Sequence, residues 1–289
     1  MASTRLTGSQ APTAQAAPAC ERNVAESCCG CVALGGMEPF EWQRLVLYLF
    51  MGLRPDADGE EVWAAPTCGL SVPRQNGKSL GVVAARAAYG MIVRGEKVVY
   101  TSHLQKTSTE TFEELRDFFD HPKVRRRVAK VQSALGRECI RLRNGGRITF
   151  LARTRNGGRG QHGDLLIFDE AQELDEDQQA SFLPAISASR NPQTLYTGTP
   201  PDEGAAGMVF SRIRADALSG RSKTTAWAEW SVPELPEDPS DRALWAAANP
   251  SLGITIREST IAGELEQMGR ERFARERLGW WSEQRAEAV

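Results

Sequence analysis

The chain predicts an α/β fold: a mainly parallel central sheet flanked by helices, with a small helical subdomain at the C-terminus. Three observations predict it. Leu165-Leu166-Ile167-Phe168 is an unbroken apolar run, the pattern of a strand buried on both faces of a parallel sheet. β-prone runs alternate with helix-periodic stretches through the first two thirds of the chain, as repeated strand–helix–strand units require. Helical patterns then take over after Pro233, Pro236 and Pro239. With 289 residues and 41% apolar content, the chain is long enough to bury a sizeable core.

Residues 1–36 are rich in Ala, Ser, Thr, Gln and Gly and carry no hydrophobic period, so a flexible extension is expected there. Four of the six cysteines lie in residues 20–31, but Cys28-Cys29-Gly30-Cys31 lacks the paired spacing of a zinc knuckle and no His sits near. Reduced thiols are the expectation. Residues 37–232 are expected to form the sheet-containing core, and 233–289 the helical subdomain.

The first ordered element is a helix over 41–51, with Pro39 just ahead of it and a stripe of Trp42, Leu45, Val46, Leu49 and Phe50. Its Gln43 either packs in the core or presents an amide to a base edge, and Phe40 or Trp42 could stack on that base. Residues 54–66 read as a polar loop. Gly69-Leu70-Ser71-Val72 is a short strand running into Pro73-Arg74-Gln75-Asn76-Gly77-Lys78-Ser79, and a helix-forming run follows from Leu80 to Met91. Strand, glycine-bearing loop, Lys-Ser and helix is the layout of a phosphate-binding loop. Consecutive amides and a helix N-terminus hold a polyphosphate there. Asn76, Gly77, Lys78 and Ser79 form the cradle, with Lys78 reaching the β- and γ-phosphates and the Ser79 hydroxyl ligating Mg²⁺. The alternative is a surface loop capping a helix, since the usual first Gly is replaced by Val72.

A second motif decides between them. The buried strand ends in Asp169-Glu170, which places two acids at its carboxyl end, where open α/β sheets put their ligands. Asp169 suits a Mg²⁺ site and Glu170 suits a base that polarises the attacking water. Between the two motifs lie a strand at 96–101, an amphipathic helix at 109–119, and a hairpin formed by 138–142 and 147–151 around Asn144-Gly145-Gly146. From Lys123 to Arg159 the chain holds twelve Lys or Arg and one acid, Glu138. This reads either as a solvated face or as a surface for phosphate backbones. Arg159 sits on an Arg/Gly loop that could reach a neighbouring subunit's phosphates, or is simply a basic turn. Gln193 to Thr197 is a further strand, which ends in Thr197-Gly198-Thr199-Pro200. Those hydroxyls either meet a γ-phosphate or belong to a plain turn. A last strand is expected at 225–231. No apolar run approaches the roughly 20 residues of a membrane span, no signal peptide opens the chain, and the net charge is −2.

Taken together, Phe40-Glu41-Trp42-Gln43, the loop Val72–Ser79, Leu166–Gln172, Thr197–Pro200 and Asn249-Pro250-Ser251-Leu252-Gly253 resemble the ATPase half of the large terminase subunit of tailed bacteriophages, over roughly residues 38–285. The resemblance implies a RecA-like P-loop NTPase of the additional-strand type that uses ATP and Mg²⁺ to drive double-stranded DNA into a prohead. It implies that Gln43 contacts adenine and Phe40 or Trp42 the base face. Arg74 is implied on the γ-phosphate, Arg159 as the trans-acting finger, and Thr197-Gly198-Thr199 as the coupling motif. Residues 233–289 become the lid. The implied partners are double-stranded DNA, the portal protein, a small terminase subunit and further copies of the chain in a ring, without a membrane, in the host cytoplasm. The chain stops at Val289, just after Gly279-Trp280-Trp281, where the family's nuclease domain would begin, so no DNA cleavage is expected of it. A superfamily-2 helicase-like ATPase, or a nucleotide-binding fragment with little turnover, are the alternatives.

Overall fold

The structure, a computed structural model, describes residues 6–154, 157–158, 160–202 and 206–282. Nine strands form one sheet: β1 (Ala14–Ala16), β2 (Thr67–Ser71), β3 (Lys97–Ser102), β4 (Val128–Gln132), β5 (Cys139–Leu142), β6 (Arg147–Ala152), β7 (Leu165–Asp169), β8 (Gln193–Gly198) and β9 (Thr225–Glu229). Their order across the sheet is β1-β9-β2-β8-β7-β3-β6-β5-β4. The six strands from β9 to β6 are parallel, and the strands beyond them at both edges are antiparallel. β8 lies between β2, which leads into the Gly-Lys-Ser loop, and β7, which ends in the acid pair. That insertion is the additional strand.

The continuous apolar run of β7 is explained by its two faces. Leu165 and Ile167 enter a core shared with the helices Ala25–Ala33, Glu41–Phe50 and Gln105–Asp120 and the helix over 79–94. Leu166 and Phe168 enter a second core with Phe182, Val209 and Phe210. Side chains alternate across a strand, so a strand between two helical layers must be apolar at every position. The helix after the Gly-Lys-Ser loop is wound as π-turns at both ends, Ser79–Ala84 and Gly90–Arg94. Such winding is frequent at functional sites. The hairpin around Asn144 forms as expected: Leu142 and Gly146 close it backbone to backbone at 2.7 Å. The C-terminal helices Arg242–Ala248, Glu258–Gln267 and Arg270–Leu278 enclose a third core around Trp245, Ile261, Phe273 and Leu278. Among the described residues no helix is long and apolar enough to cross a membrane.

Over its described residues, 6–36, the N-terminal segment differs from the flexible extension expected for residues 1–36. β1 pairs antiparallel with β9 and closes that edge of the sheet. Helix Ala25–Ala33 buries Cys28, Cys29 and Val32 against the core. Nearer the start, Gly8 donates its amide to Leu252 O (2.9 Å), and Trp230 Nε1 donates to Ser9 O (2.9 Å). The segment is polar in composition because it works through backbone hydrogen bonds, which leave no hydrophobic period. The six cysteines are free, and burial pushes the Cys28 thiol upward.

The stretch 54–66 also departs from the expected loop. Glu61–Trp63 pairs with Gly52–Pro55, and Arg22–Asn23 adds a third strand. Trp63 anchors this small sheet, with the guanidinium carbons of Arg86 and Arg94 4.5 and 4.8 Å from its ring.

Removing residues 1–19 should therefore lower the melting temperature by about 5–10 °C, as the loss of a few net hydrogen bonds worth about 1 kcal/mol each demands. Differential scanning calorimetry of the truncated chain checks this; an unchanged transition would show the segment to be dispensable.

Candidate active site

The register of three parallel strands builds the site. Asp169 is paired with Thr197, and Thr197 with Leu70, so the carboxyl ends of β7, β8 and β2 are level. The loop leaving β2 then returns through Gly77, whose φ of +87° suits glycine, into the helix that starts at Ser79. The Ser79 hydroxyl meets the Asp169 carboxylate at 3.4 Å, closing the two motifs on one another. Lys78 is half-buried and has no carboxylate partner among the described residues.

Asp169 is 1% exposed. One of its oxygens accepts from Thr197 Oγ1 (2.7 Å) and from the Glu170 amide (3.0 Å). The other accepts from Tyr100 Oη (2.8 Å) and Ser79. Burial, reinforced by Asp169, pushes the Tyr100 phenol well above its ordinary range, so it stays a donor. Glu170 follows in the left-handed region, with φ of +53°. One oxygen of its carboxylate accepts from Thr107 Oγ1 at 3.2 Å, and the other is buried with no partner among the described residues. A buried orphan acceptor is costly and marks a place for a missing donor.

Arg153 stands behind the acid pair. Its guanidinium, buried, donates to the backbone carbonyls of Asp169 and Glu170 (3.3 Å for the latter). Burial lowers its pKa to about 10, with Asp169 and Glu170 acting in the opposite sense.

The remaining sequence-derived residues fall into two groups. Gln43 is buried against the loop: it accepts from the Phe40 amide (2.7 Å) and donates to Gly77 O (2.9 Å). Gly81 makes room for it, since a Cβ there would collide with the Gln43 amide. Trp42 is fully buried, donates Nε1 to Ser251 Oγ (3.1 Å) and packs edge-on against Trp230, so it does not face a base. Phe40 is only partly buried and remains available. Thr197 commits its hydroxyl to Asp169 (2.7 Å), and the Thr199 amide donates to Gln172 Oε1 (3.3 Å).

The Asn76 side chain is committed to other parts of the chain. It is buried, donates to Pro73 O (3.1 Å) and Asn249 Oδ1 (3.1 Å), and accepts from the Ser251 amide (3.0 Å). Only its backbone amide is left for a phosphate. Arg74 pairs through Nε with Glu276 of helix Arg270–Leu278. Arg277, buried on the same helix, donates to Arg74 O (2.8 Å) and Gln75 Oε1 (2.7 Å). Gln75 has a φ of +63°. Arg159 lies outside the described residues.

The sheet order, with β8 inserted between β2 and β7, is the RecA-like arrangement of the additional-strand type. No protein-family model and no curated protein matches the sequence. Solved structures do. The large terminase of bacteriophage HK97 superposes with a TM-score of 0.72 at 18% identity, over 90% of this chain and 56% of that one. The ATPase domain of the Thermus phage P74-26 large terminase gives 0.57 at 15% identity, over 86% of this chain and 96% of that domain. The large terminase of a second thermophilic bacteriophage, solved with ATP-gamma-S, gives 0.53 at 13% identity, over 75% of this chain and 48% of that one. The chain thus has the fold of the large terminase ATPase domain, and spans about half the length of the whole terminases it matches.

Replacing Asn76 by Ala would strand the Ser251 amide and the Pro73 and Asn249 oxygens. Urea unfolding should show a loss of about 3 kcal/mol; a loss below about 0.5 kcal/mol would mean the clamp is not formed in solution.

Proposed function

We propose that this chain is a Mg²⁺-dependent ATPase that drives double-stranded DNA into a prohead, in the manner of a large terminase. The observation that carries the reading is the contact of Ser79 with Asp169 at the carboxyl edge of the sheet, with Lys78 and Glu170 next to them in the chain and one Glu170 oxygen buried without a partner among the described residues. The donor set fits the ion: a hydroxyl and a carboxylate are the hard oxygen ligands that Mg²⁺ prefers. Ser79 and Asp169 would hold it, and the bound ion would neutralise charge on the β- and γ-phosphates.

The chain's own groups do the rest. The amides of residues 76–79 and the Lys78 ammonium bind the phosphates. Glu170 accepts hydrogen bonds from the attacking water through its free oxygen and orients it in line. Thr107 holds the other oxygen. Arg74, released from Glu276, would join the γ-phosphate, and Arg159 would act on a neighbour's nucleotide in a ring. Gln43, already committed to Phe40 and Gly77, offers the base its second N–H, and Phe40 offers a ring face. Thr197 and Thr199 link the acid strand to movement. The helical C-terminal subdomain, tied to the loop through Asn76 and Arg277, serves as the lid.

The DNA contact is proposed for the basic face beside β4. A groove of about 720 Å³ there is lined by Arg116, Arg125, Arg126, Lys130 and Arg143. Among the described residues, Arg126, Arg127, Lys130 and Arg143 have no carboxylate partner, whereas Arg125 has Asp120 at 3.9 Å. Clustered cations without counter-charges repel one another unless an anionic chain neutralises them. The portal, a small terminase subunit, a ring of copies and the host cytoplasm complete the proposal by the same likeness of fold.

Glu170→Gln should reduce ATP turnover at least about a hundredfold while leaving ATPγS affinity within about twofold; steady-state hydrolysis and calorimetry decide, and retained turnover would remove Glu170 from the base role. Arg126→Ala should weaken duplex DNA binding and reduce the slope of log affinity against log salt by about one. An unchanged slope would place the DNA on another face.

A further inference from the structure

The described residues include two non-glycine positions with positive φ, Gln75 and Glu170. Such a conformation costs about 1–3 kcal/mol and persists only where the surroundings over-determine it. At Glu170 the surroundings are unusually specific. Two peptide planes flank its Cα: one carries the Asp169 carbonyl, the other the Glu170 carbonyl. Rotation of those planes is what φ and ψ of Glu170 measure. Arg153 donates to both oxygens from one planar guanidinium, so a single rigid fork fixes both angles at once.

Arg153 is itself held in place. Its backbone amide donates to Ser102 O at the end of β3 (2.9 Å), and its guanidinium carbon lies 5.7 Å from the Phe168 ring centroid. The side chain is 5% exposed and its Nε has no partner among the described residues. No carboxylate lies within ion-pair distance of it among the described residues. Burying a guanidinium on two neutral carbonyls, with its Nε–H left over, is a poor way to stabilise a fold. It is a good way to aim one side chain.

We propose that Arg153 is a positioning residue for the proposed ATP hydrolysis: it locks the left-handed backbone of Glu170 so that the free carboxylate oxygen faces the γ-phosphate side of the site. The assignment rests on the reading of Glu170 as the base. Arg153 touches neither nucleotide nor ion, so its effect falls on the chemical step and spares binding. Lysine, a point charge with no fork, does not bridge both carbonyls.

The test uses the full chain and four variants: Arg153→Ala, Arg153→Lys, Glu170→Gln, and Arg153→Ala combined with Glu170→Gln. With Arg153→Ala, kcat should fall roughly 10- to 100-fold, while KM and the ATPγS dissociation constant stay within about twofold. Arg153→Lys should recover only a small part of kcat. The combined variant should be no slower than Glu170→Gln alone, because both act through one group. A kcat within about twofold of the parent, a loss of ATPγS affinity as large as the loss of kcat, or multiplicative losses in the combined variant would each overturn the assignment. If Arg153→Ala does not fold, Arg153→Lys, which keeps charge and most of the volume, carries the same split between kcat and affinity. A parent protein without turnover would overturn the reading of the site and the assignment together; turnover that needs Glu170 but not Arg153 would overturn the assignment alone.

Discussion

A carboxylate with 1% exposure, Asp169, is the constraint the rest of the structure serves. A buried acid must find donors, and each missing one costs on the order of 1–3 kcal/mol. Asp169 collects four, from β8, β3, the next residue in its own chain, and the helix after the Gly-Lys-Ser loop. Those donors come from segments up to 90 residues away. Strand register is therefore not free to drift: a slip of one residue in β3 or β8 would turn Tyr100 or Thr197 to the opposite face. The same constraint that satisfies the acid sets Ser79 beside it and Glu170 just past it.

The cost of this arrangement appears as local strain at two positions, Gln75 in the loop and Glu170 after β7. Each is braced by a buried arginine from a distant element, Arg277 and Arg153 respectively. The loop between β2 and the next helix is thus shaped by the C-terminal helices as much as by the sheet. Arg74 through Asn76 touch residues 249–251 and 276–277, so a shift of the C-terminal subdomain is felt at the loop directly.

Much of this is legible in the sequence because it depends on short-range pattern. The apolar run of β7, its terminal acids, the Gly-Lys-Ser loop and the Asn-Gly-Gly hairpin each declare themselves within ten residues. Tyr100 and Arg153 do not. Tyr100 looks like one more apolar strand residue until register places it against β7, and Arg153 is one cation among twelve in a basic stretch. Trp42 and Asn76 stand out as residues, but their partners at Ser251 and Asn249 lie about two hundred residues on. The N-terminal segment escapes a pattern-based reading for a related reason. A strand of three residues pairing through its backbone leaves no side-chain period to read.

The most direct test of the account is the position of the nucleotide and its ion. A crystal structure with ATPγS and Mn²⁺ in place of Mg²⁺ locates the ion by its anomalous signal. The account predicts an ion about 2.1 Å from Ser79 Oγ, with Asp169 in its ligand shell, phosphates on the amides of residues 76–79, and the γ-thiophosphate facing the free Glu170 oxygen. A nucleotide bound elsewhere on the molecule, or an ion away from Ser79 and Asp169, would contradict it.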